Sequence, residues 1–444
     1  MIQRFECSTG LSWWLRLTLC AAGALGCALC SVTPAGAYCV YVANSESDSV
    51  SVIDTATNSV SATIGNAAVL FNHPSGPALT PDTRFLYVAN RGSLDRVPGS
   101  TVSVIATAAN TLAATVELAP GSGPYSVAIT PDGAVAYVAN QFADTVSVID
   151  TAKALADPST AVIKTIPVGP YPVGVAISPD GGFAYVSSCG APCDGSALSV
   201  TVVDTTDNEV RTTVPGLFIR AITPDGQFAY SPNGFADTVQ VIDTAKVLTE
   251  PTHAVIKTIS VANFPYAAAM TPSGRFAYVT QCGEFCLSDE PSSASSVSVI
   301  DTGTNTVAAT VSLPPTSGPT SIAIAPDGTF AHVTNGWSQT VAVIDTAKAV
   351  TDPTHAVIAT IQGVGERPEG IAIAPLPMCV DGHPTCVGDC GVDRRITVDE
   401  LLAMVNIALG NAEISGCNAG DRDGSGQITI DEILTAVNNA LNGC

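Results

Sequence analysis

Tyr137-Val138-Ala139-Asn140, then Thr145-Val146-Ser147-Val148-Ile149-Asp150-Thr151, then Ile177-Ser178-Pro179-Asp180-Gly181: the fold turns on how these three runs are read. Each is short, rich in alternating β-branched or aromatic residues, and bounded by Asn, Asp, Pro or Gly. That pattern predicts strands joined by tight turns. The first run recurs at Tyr41–Asn44, Tyr87–Asn90, Tyr137–Asn140, Tyr185–Ser188, Tyr230–Asn233, Tyr278–Gln281 and His332–Asn335. A Val-rich run closing on Asp-Thr follows, as in Val52-Ile53-Asp54-Thr55; the second copy, Val104-Ile105-Ala106-Thr107, lacks the Asp. Next comes a Thr/Val/Ile run such as Val162–Ile166 or Val307–Val311. A run such as Val127-Ala128-Ile129-Thr130 with the turn Pro131-Asp132-Gly133 completes the unit.

Four short strands repeated every 45–54 residues predict a β-propeller. Each strand type occurs seven times, so the chain is read as mainly β, a seven-bladed propeller of four-stranded antiparallel blades. It starts on the Tyr-Val-Ala-Asn strand and ends on Ile371-Ala372-Ile373-Ala374, the type that precedes it elsewhere. The last strand must therefore complete the first blade, which closes the ring and removes open sheet edges. In that strand type Ala78, Ala128, Ala176, Ala221, Ala269, Ala323 and Ala372 hold one column. Blades converge on the axis, so the column is expected at the crowded inner position, where a larger residue overpacks.

The balance of charge narrows the functions. The chain of 444 residues carries 17 Lys+Arg and 39 Asp+Glu, a net of −22, which excludes nucleic acid as a partner because phosphates must be neutralised by cations. With 46% apolar residues it is no disordered acidic tail. Residues 1–37 resemble a secretory signal peptide: Arg4 and Arg16 are followed by the apolar stretch Leu17 to Leu29 and the small-residue site Ala35-Gly36-Ala37. A membrane anchor is the other reading, but the apolar run falls short of the ~20 residues a span needs. A lipoprotein site at Cys27 would have Ala where Leu is expected. The protein is thus expected to be exported, to the periplasm, the cell surface or beyond, with no transmembrane span.

The repeat resembles the YVTN-type β-propeller repeat, carried by Tyr137–Asn140, Thr145–Thr151 and Ile177–Gly181 and by their counterparts in seven copies. The resemblance implies a seven-bladed propeller over residues 38–378, of a kind found in bacterial and archaeal surface and secreted proteins. Related propellers serve as binding surfaces, lactone-cleaving enzymes and amine-dehydrogenase subunits, so fold does not choose among activities.

Export makes disulfides the default state of cysteine. Cys39 and Cys379 map to one place in the repeat unit, which predicts a Cys39–Cys379 bridge across the ring closure, worth roughly 5 kcal/mol in the chain-entropy account. Cys189/Cys193 and Cys282/Cys286 sit in equivalent loops and are expected to form local structural disulfides.

After a linker at 379–385, residues 386–444 favour helix. Asp421, Asp423, Ser425, Gln427 and Glu432 place oxygen donors at positions 1, 3, 5, 7 and 12 of a calcium loop, and Gly426 supplies the sharp turn. Asp389, Asp393 and Glu400 belong to a second, degenerate copy in which Gly391 lacks a donor and Arg394 replaces the turn Gly. The pair resembles a dockerin module and equally a compact EF-hand pair, which implies Ca²⁺ as cofactor. Val398-Asp399 and Ile430-Asp431 stand where dockerins commonly carry Ser/Thr, which weakens the case for a cohesin-like partner. Cys386, Cys390, Cys417 and Cys444 allow three pairings; Cys390–Cys417 with Cys386–Cys444 would clasp the ends of the module.

No motif for a nucleophile elbow, covalent haem or zinc is present. The repeated Asp residues read as turn architecture, and His332, in the Tyr position of the marker, as a packed residue. The best place to look for a ligand is the ring where the inner strands begin: Ser75, Tyr125, Val173, Phe218, Tyr266, Thr320 and Glu369, with Arg220 and Arg367 nearby; the other reading is a partly hydrated channel mouth with no ligand. Tyr125, Phe218, Tyr266, Glu369 and Arg220 are the candidate ligand-binding residues; no catalytic residue is assigned. The sequence favours a non-enzymatic binding or scaffold propeller with a protein or glycan partner at the cell envelope. The alternative is a secreted lactonase- or lyase-like enzyme tethered by the same module.

Overall fold

The computed structural model describes residues 38–65, 71–92, 98–191, 193, 195, 197–262, 264–283, 295–375, 398–409, 428, 429, 433 and 436. Within them lies a seven-bladed β-propeller, each blade a four-stranded antiparallel sheet. Blade 1 combines Pro368–Pro375 with Tyr38–Asn44, Ser49–Asp54 and Ser59–Gly65. The inner strands of blades 2 to 7 are Pro74–Leu79, Pro124–Ile129, Pro172–Ile177, Ala221–Ile222, Pro265–Met270 and Pro319–Ile324. The ring closes as the sequence requires: Tyr38 lies opposite Pro375, Cys39 opposite Ala374 and Tyr41 opposite Ala372.

The marker tyrosine is a strap between blades. In every blade it faces the Ala of the inner strand, as in Ala78 with Tyr87 and Ala128 with Tyr137; His332 takes its place opposite Ala323. The hydroxyl then reaches into the next blade. Tyr41, Tyr137 and Tyr230 donate to the side-chain oxygens of Asn110, Asn208 and Asn305, while Tyr87 and Tyr278 donate to the carbonyls of Thr151 and Thr346. Those three Asn hold left-handed turns at φ of 52°, 60° and 51°, which Asn tolerates. Burial pushes the Tyr87, Tyr137, Tyr185 and Tyr230 phenols up to about 12. All but one member of the Ala column is half-buried, so crowding there is softer than full enclosure. The column is fixed by the tyrosine ring opposite as much as by the axis.

The Asp-Thr ending has a similar basis. Thr151 Oγ1 donates to the Gly133 carbonyl at 2.6 Å, and Thr107, Thr205, Thr244, Thr302 and Thr346 repeat the bond on the turn before them, while Thr55 donates to the carbonyl of the strand residue Tyr38. That turn is of the expected kind: Gly133 N–H donates to Thr130 O at 2.8 Å, and Asp132 accepts from Ala134 N–H at 3.0 Å. The Thr130 hydroxyl beside Asp132 holds its carboxyl below the usual carboxylate range.

One expectation is corrected. Asp54, Asp204 and Asp301 do accept from their own turns, but Asp150, Asp243 and Asp345 cap short helices absent from the four-strand reading. These are α1 (Thr151–Ala156), α2 (Thr244–Thr249) and α3 (Thr346–Thr351), in blades 3, 5 and 7. Each Asp accepts from the N–H of Lys153, Lys246 or Lys348, and a Pro-led 3-10 turn follows each helix. The helices lean on the outer strands of blades 2, 4 and 6, covering edges that would otherwise be open.

Cores lie between blades rather than within them. Tyr87, Val102 and Val104 of blade 2 pack with Val127, Ala136 and Val138 of blade 3; Val40, Val42 and Ile53 of blade 1 pack with Val341 and Val343 of blade 7. Further along, α4 (Val398–Ala408) lies in the stretch that the sequence reads as favouring helix, and its Met404 is buried with Ile428 and Ala436. The ligand positions Asp389, Asp393, Asp421, Asp423, Ser425, Gln427 and Glu432 lie outside the described residues; so do the linker, the signal segment and the side chain of Glu400. No helix among the described residues is long and apolar enough to cross a membrane.

Candidate functional site

Antiparallel pairing decides which side chains meet at the channel mouth. Pro124 lies opposite Asn140 and Pro74 opposite Asn90, so the start of each inner strand and the residues just after the marker emerge on one rim. There a cavity of about 470 Å³ opens, to which all seven blades contribute. That volume lies within the range of small-molecule sites.

The structure brings the predicted residues together. Tyr125, Val173, Phe218, Tyr266, Thr320 and Glu369 line the cavity, with Arg220 and Arg367. Ser75 does not: it is buried at 2% exposure, on a strand irregular between Ser75 and Ala78. Gly76 follows at a φ of 43°, and a Cβ there would stand 2.4 Å from the Tyr125 carbonyl oxygen. The strand is therefore pressed against blade 3 with no room for a lining side chain. Blade 2 contributes Arg91 instead.

Arg91, Gln141 and Trp337 are lining residues that the sequence reading missed. Their signal was the one or two positions just after the marker Asn, which share the rim by the pairing above.

The charged groups divide into two sets. Arg367 is bound to carboxylates: its Nε lies 3.1 Å from Glu369 Oε1 and its Nη1 3.1 Å from Glu46 Oε1. Arg220 and Arg91 are instead bedded on aromatic faces. The Arg220 guanidinium lies 4.5 Å from the Phe218 ring centre and 5.6 Å from that of Tyr266, and Nη1 donates to the Val173 carbonyl at 3.3 Å. Arg91 lies 5.1 Å from the Tyr125 ring and 5.8 Å from that of Phe142, its Nε donating to Gln141 at 2.7 Å. Tyr266 beside Tyr125, burial, and the Glu369 carboxylate together push the Tyr125 phenol well above its ordinary value.

Disulfides hold the surrounding loops. Cys189 and Cys193 are bonded, with Cα atoms 4.8 Å apart, and Cys193 lines the cavity. Cys282 also lines it and is disulfide-bonded; its expected partner Cys286 lies outside the described residues.

Residues 38–214 match the family described as lactonase, seven-bladed β-propeller. That is the first half of the ring and less than half of the chain. No curated protein matches. Among solved structures, the hydrazine synthase of Kuenenia stuttgartiensis is similar at 21% identity, with 71% of this chain and 98% of that one covered and a TM-score of 0.55. A functionally unknown protein of Desulfotomaculum acetoxidans is similar at 19% identity over 76% of this chain and 98% of that one, TM-score 0.57. A candidate 6-phosphogluconolactonase of Bacteroides fragilis is similar at 15% identity over 77% of this chain and 99% of that one, TM-score 0.56. Identities this low speak for the propeller fold alone, and the lactonase likeness reaches the Tyr125 side of the cavity but not Arg220, Tyr266 or Glu369.

Proposed function

We propose that the protein is an exported, non-enzymatic propeller that binds a small polar ligand of the sugar class at the channel mouth. A C-terminal calcium module would attach it to a partner at the cell envelope. One observation carries the reading: aromatic faces, two aromatic-bedded guanidinium groups and a carboxylate converge on a single cavity. Aromatic rings offer flat apolar surface to a sugar ring, while the charged groups select its polar edge. The oxygen donor set of Asp421, Asp423, Ser425, Gln427 and Glu432 suits a hard cation such as Ca²⁺.

A second reading, a lactone-cleaving enzyme on the same site, is favoured by the family match over residues 38–214. Ligand-soaked diffraction combined with a hydrolase and lyase screen separates the two. Ligand in the cavity without turnover supports the binding reading. Turnover that Glu369→Gln or Arg220→Met abolishes in a folded protein replaces it with the enzymatic one. Recovery of an envelope partner in calcium but not in chelator would assign attachment to the tail module.

A further inference from the structure

The cavity contains unmatched groups of opposite demand. Arg220 Nε is buried without a partner, and the ion pairs of this rim, Arg367 with Glu46 and with Glu369, involve neither Arg220 nor Arg91. A guanidinium held between rings still presents a fork suited to a planar acceptor. Glu369 has the reverse need: Oε1 is taken by Arg367, while Oε2 is buried and unpartnered, an acceptor that calls for a donor.

Charge then limits the ligand. Three Arg (91, 220, 367) and three Glu (46, 366, 369) line the cavity and cancel, inside a chain of net charge −22. A multiply charged anion meets the field of the whole protein and the Glu369 carboxylate. A neutral ligand leaves Arg220 unanswered. A single negative charge on a body rich in hydroxyl donors answers both groups.

We infer that the site takes a sugar bearing one carboxylate, a hexuronic acid, with the carboxylate on the Arg220 guanidinium and a ring hydroxyl donating to the Glu369 carboxylate. Tyr125, Tyr266 and Trp337 supply the faces for the ring. This rests on the reading of the channel mouth as a binding site. The same chemistry reaches the cavity as a free hexuronate or as the one acidic residue ending a neutral oligosaccharide.

Calorimetric titration of the full-length protein with glucuronate, glucose, glucose 6-phosphate and an aldobiouronate tests it. Glucuronate is expected to bind roughly tenfold or more tighter than glucose, the scale of one charged hydrogen-bonded contact, and tighter than the phosphate ester. Arg220→Met, which keeps an apolar stem between Phe218 and Tyr266, removes the preference for the carboxylate, and Arg220→Lys restores part of it. An aldobiouronate that binds tighter than glucuronate identifies an oligosaccharide end, and equal affinities identify the free sugar. Glucose binding as tightly as glucuronate, or a ratio unmoved in Arg220→Met, overturns the inference but leaves a sugar site standing. Tighter binding of glucose 6-phosphate overturns it in favour of a phosphate ester, and binding of none of these sugars removes the sugar reading as well. Should Arg220→Met fail to fold, the wild-type affinity ratio decides alone.

Discussion

The hydroxyls of Tyr125 and Tyr266 lie 3.5 Å apart, although the two residues come from blades 3 and 6 on opposite sides of the ring. Two phenol side chains thus span the axis and give the channel mouth a floor. Arg91 lies over one of these rings and Arg220 over the other, so the floor also positions both cations. A ligand entering from this rim meets a shaped pocket rather than an open pore.

The floor and the interblade straps predict an alkaline limit to stability. Tyr41, Tyr87, Tyr125, Tyr137, Tyr185, Tyr230 and Tyr278 all have phenols raised above the ordinary 10.0. Between that value and the raised ones the folded chain holds protons that the unfolded chain has lost, so stability falls as pH rises past 10. Absorbance of tyrosinate is expected to lag in the folded protein and then to jump with unfolding. Smooth titration of all ten tyrosines near pH 10 without loss of structure would contradict this.

His332 predicts an acid limit at one junction. It stands in the strap position of blade 7, next to the closure blade, fully buried with neither ring nitrogen partnered. Burial pulls it from its ordinary 6.5 to about 4. Between those values the unfolded chain binds a proton that the folded chain does not. Stability therefore falls as pH drops through 6.5, by up to roughly 3 kcal/mol near pH 4. His332→Tyr, which restores the residue of the other six blades, is expected to flatten that slope in denaturant melts between pH 4 and 7. A slope unchanged by the substitution would show that other groups cause it.

These straps explain what the sequence disclosed and what it withheld. A strap, a turn and an inner Ala must recur in each blade because every blade meets an equivalent neighbour, so repetition made blade number, closure and the Asp-Gly turns readable. Tyr125, Phe218, Tyr266 and Glu369 were found because alignment of repeats places one inner-strand residue per blade at the mouth. Arg91 and Trp337 were missed because they follow the marker, where the copies share no residue type. The helices α1 to α3 were missed because their strand ends in the same Asp-Thr as blades with a plain turn; only the Ala-Lys after it and the Pro beyond mark the N-cap.

Closure of the ring is expected to be covalent. Cys39 is buried, disulfide-bonded and opposite Ala374, one residue before the end of the strand Pro368–Pro375. The chain therefore leaves the sheet beside Cys39, four residues before Cys379. Non-reducing peptide mapping should recover Cys39 joined to Cys379. Cys39→Ser should lower the melting temperature by about 5 °C or more, since the bridge restrains almost the whole ring in the unfolded state. Recovery of Cys39 on another cysteine would reassign the closure.

The tail module should bind calcium chiefly through its second loop. Met404 of α4 is buried with Ile428 and Ala436 in one small apolar cluster. A cluster that small contributes little stability by itself, so bound metal should supply much of the folding free energy. Glu432 stands at position 12, where both carboxylate oxygens can reach the ion, and Glu432→Gln should weaken calcium binding by roughly a hundredfold or more in calorimetric titration. Asp389→Asn, in the loop with Gly391 and Arg394 at positions 3 and 6, should change the tight site little. Chelator should abolish the helical signal of an excised 386–444 fragment and leave the strand signal of the whole protein intact. Equal losses from Glu432→Gln and Asp389→Asn would instead mean that the two loops bind as one cooperative pair.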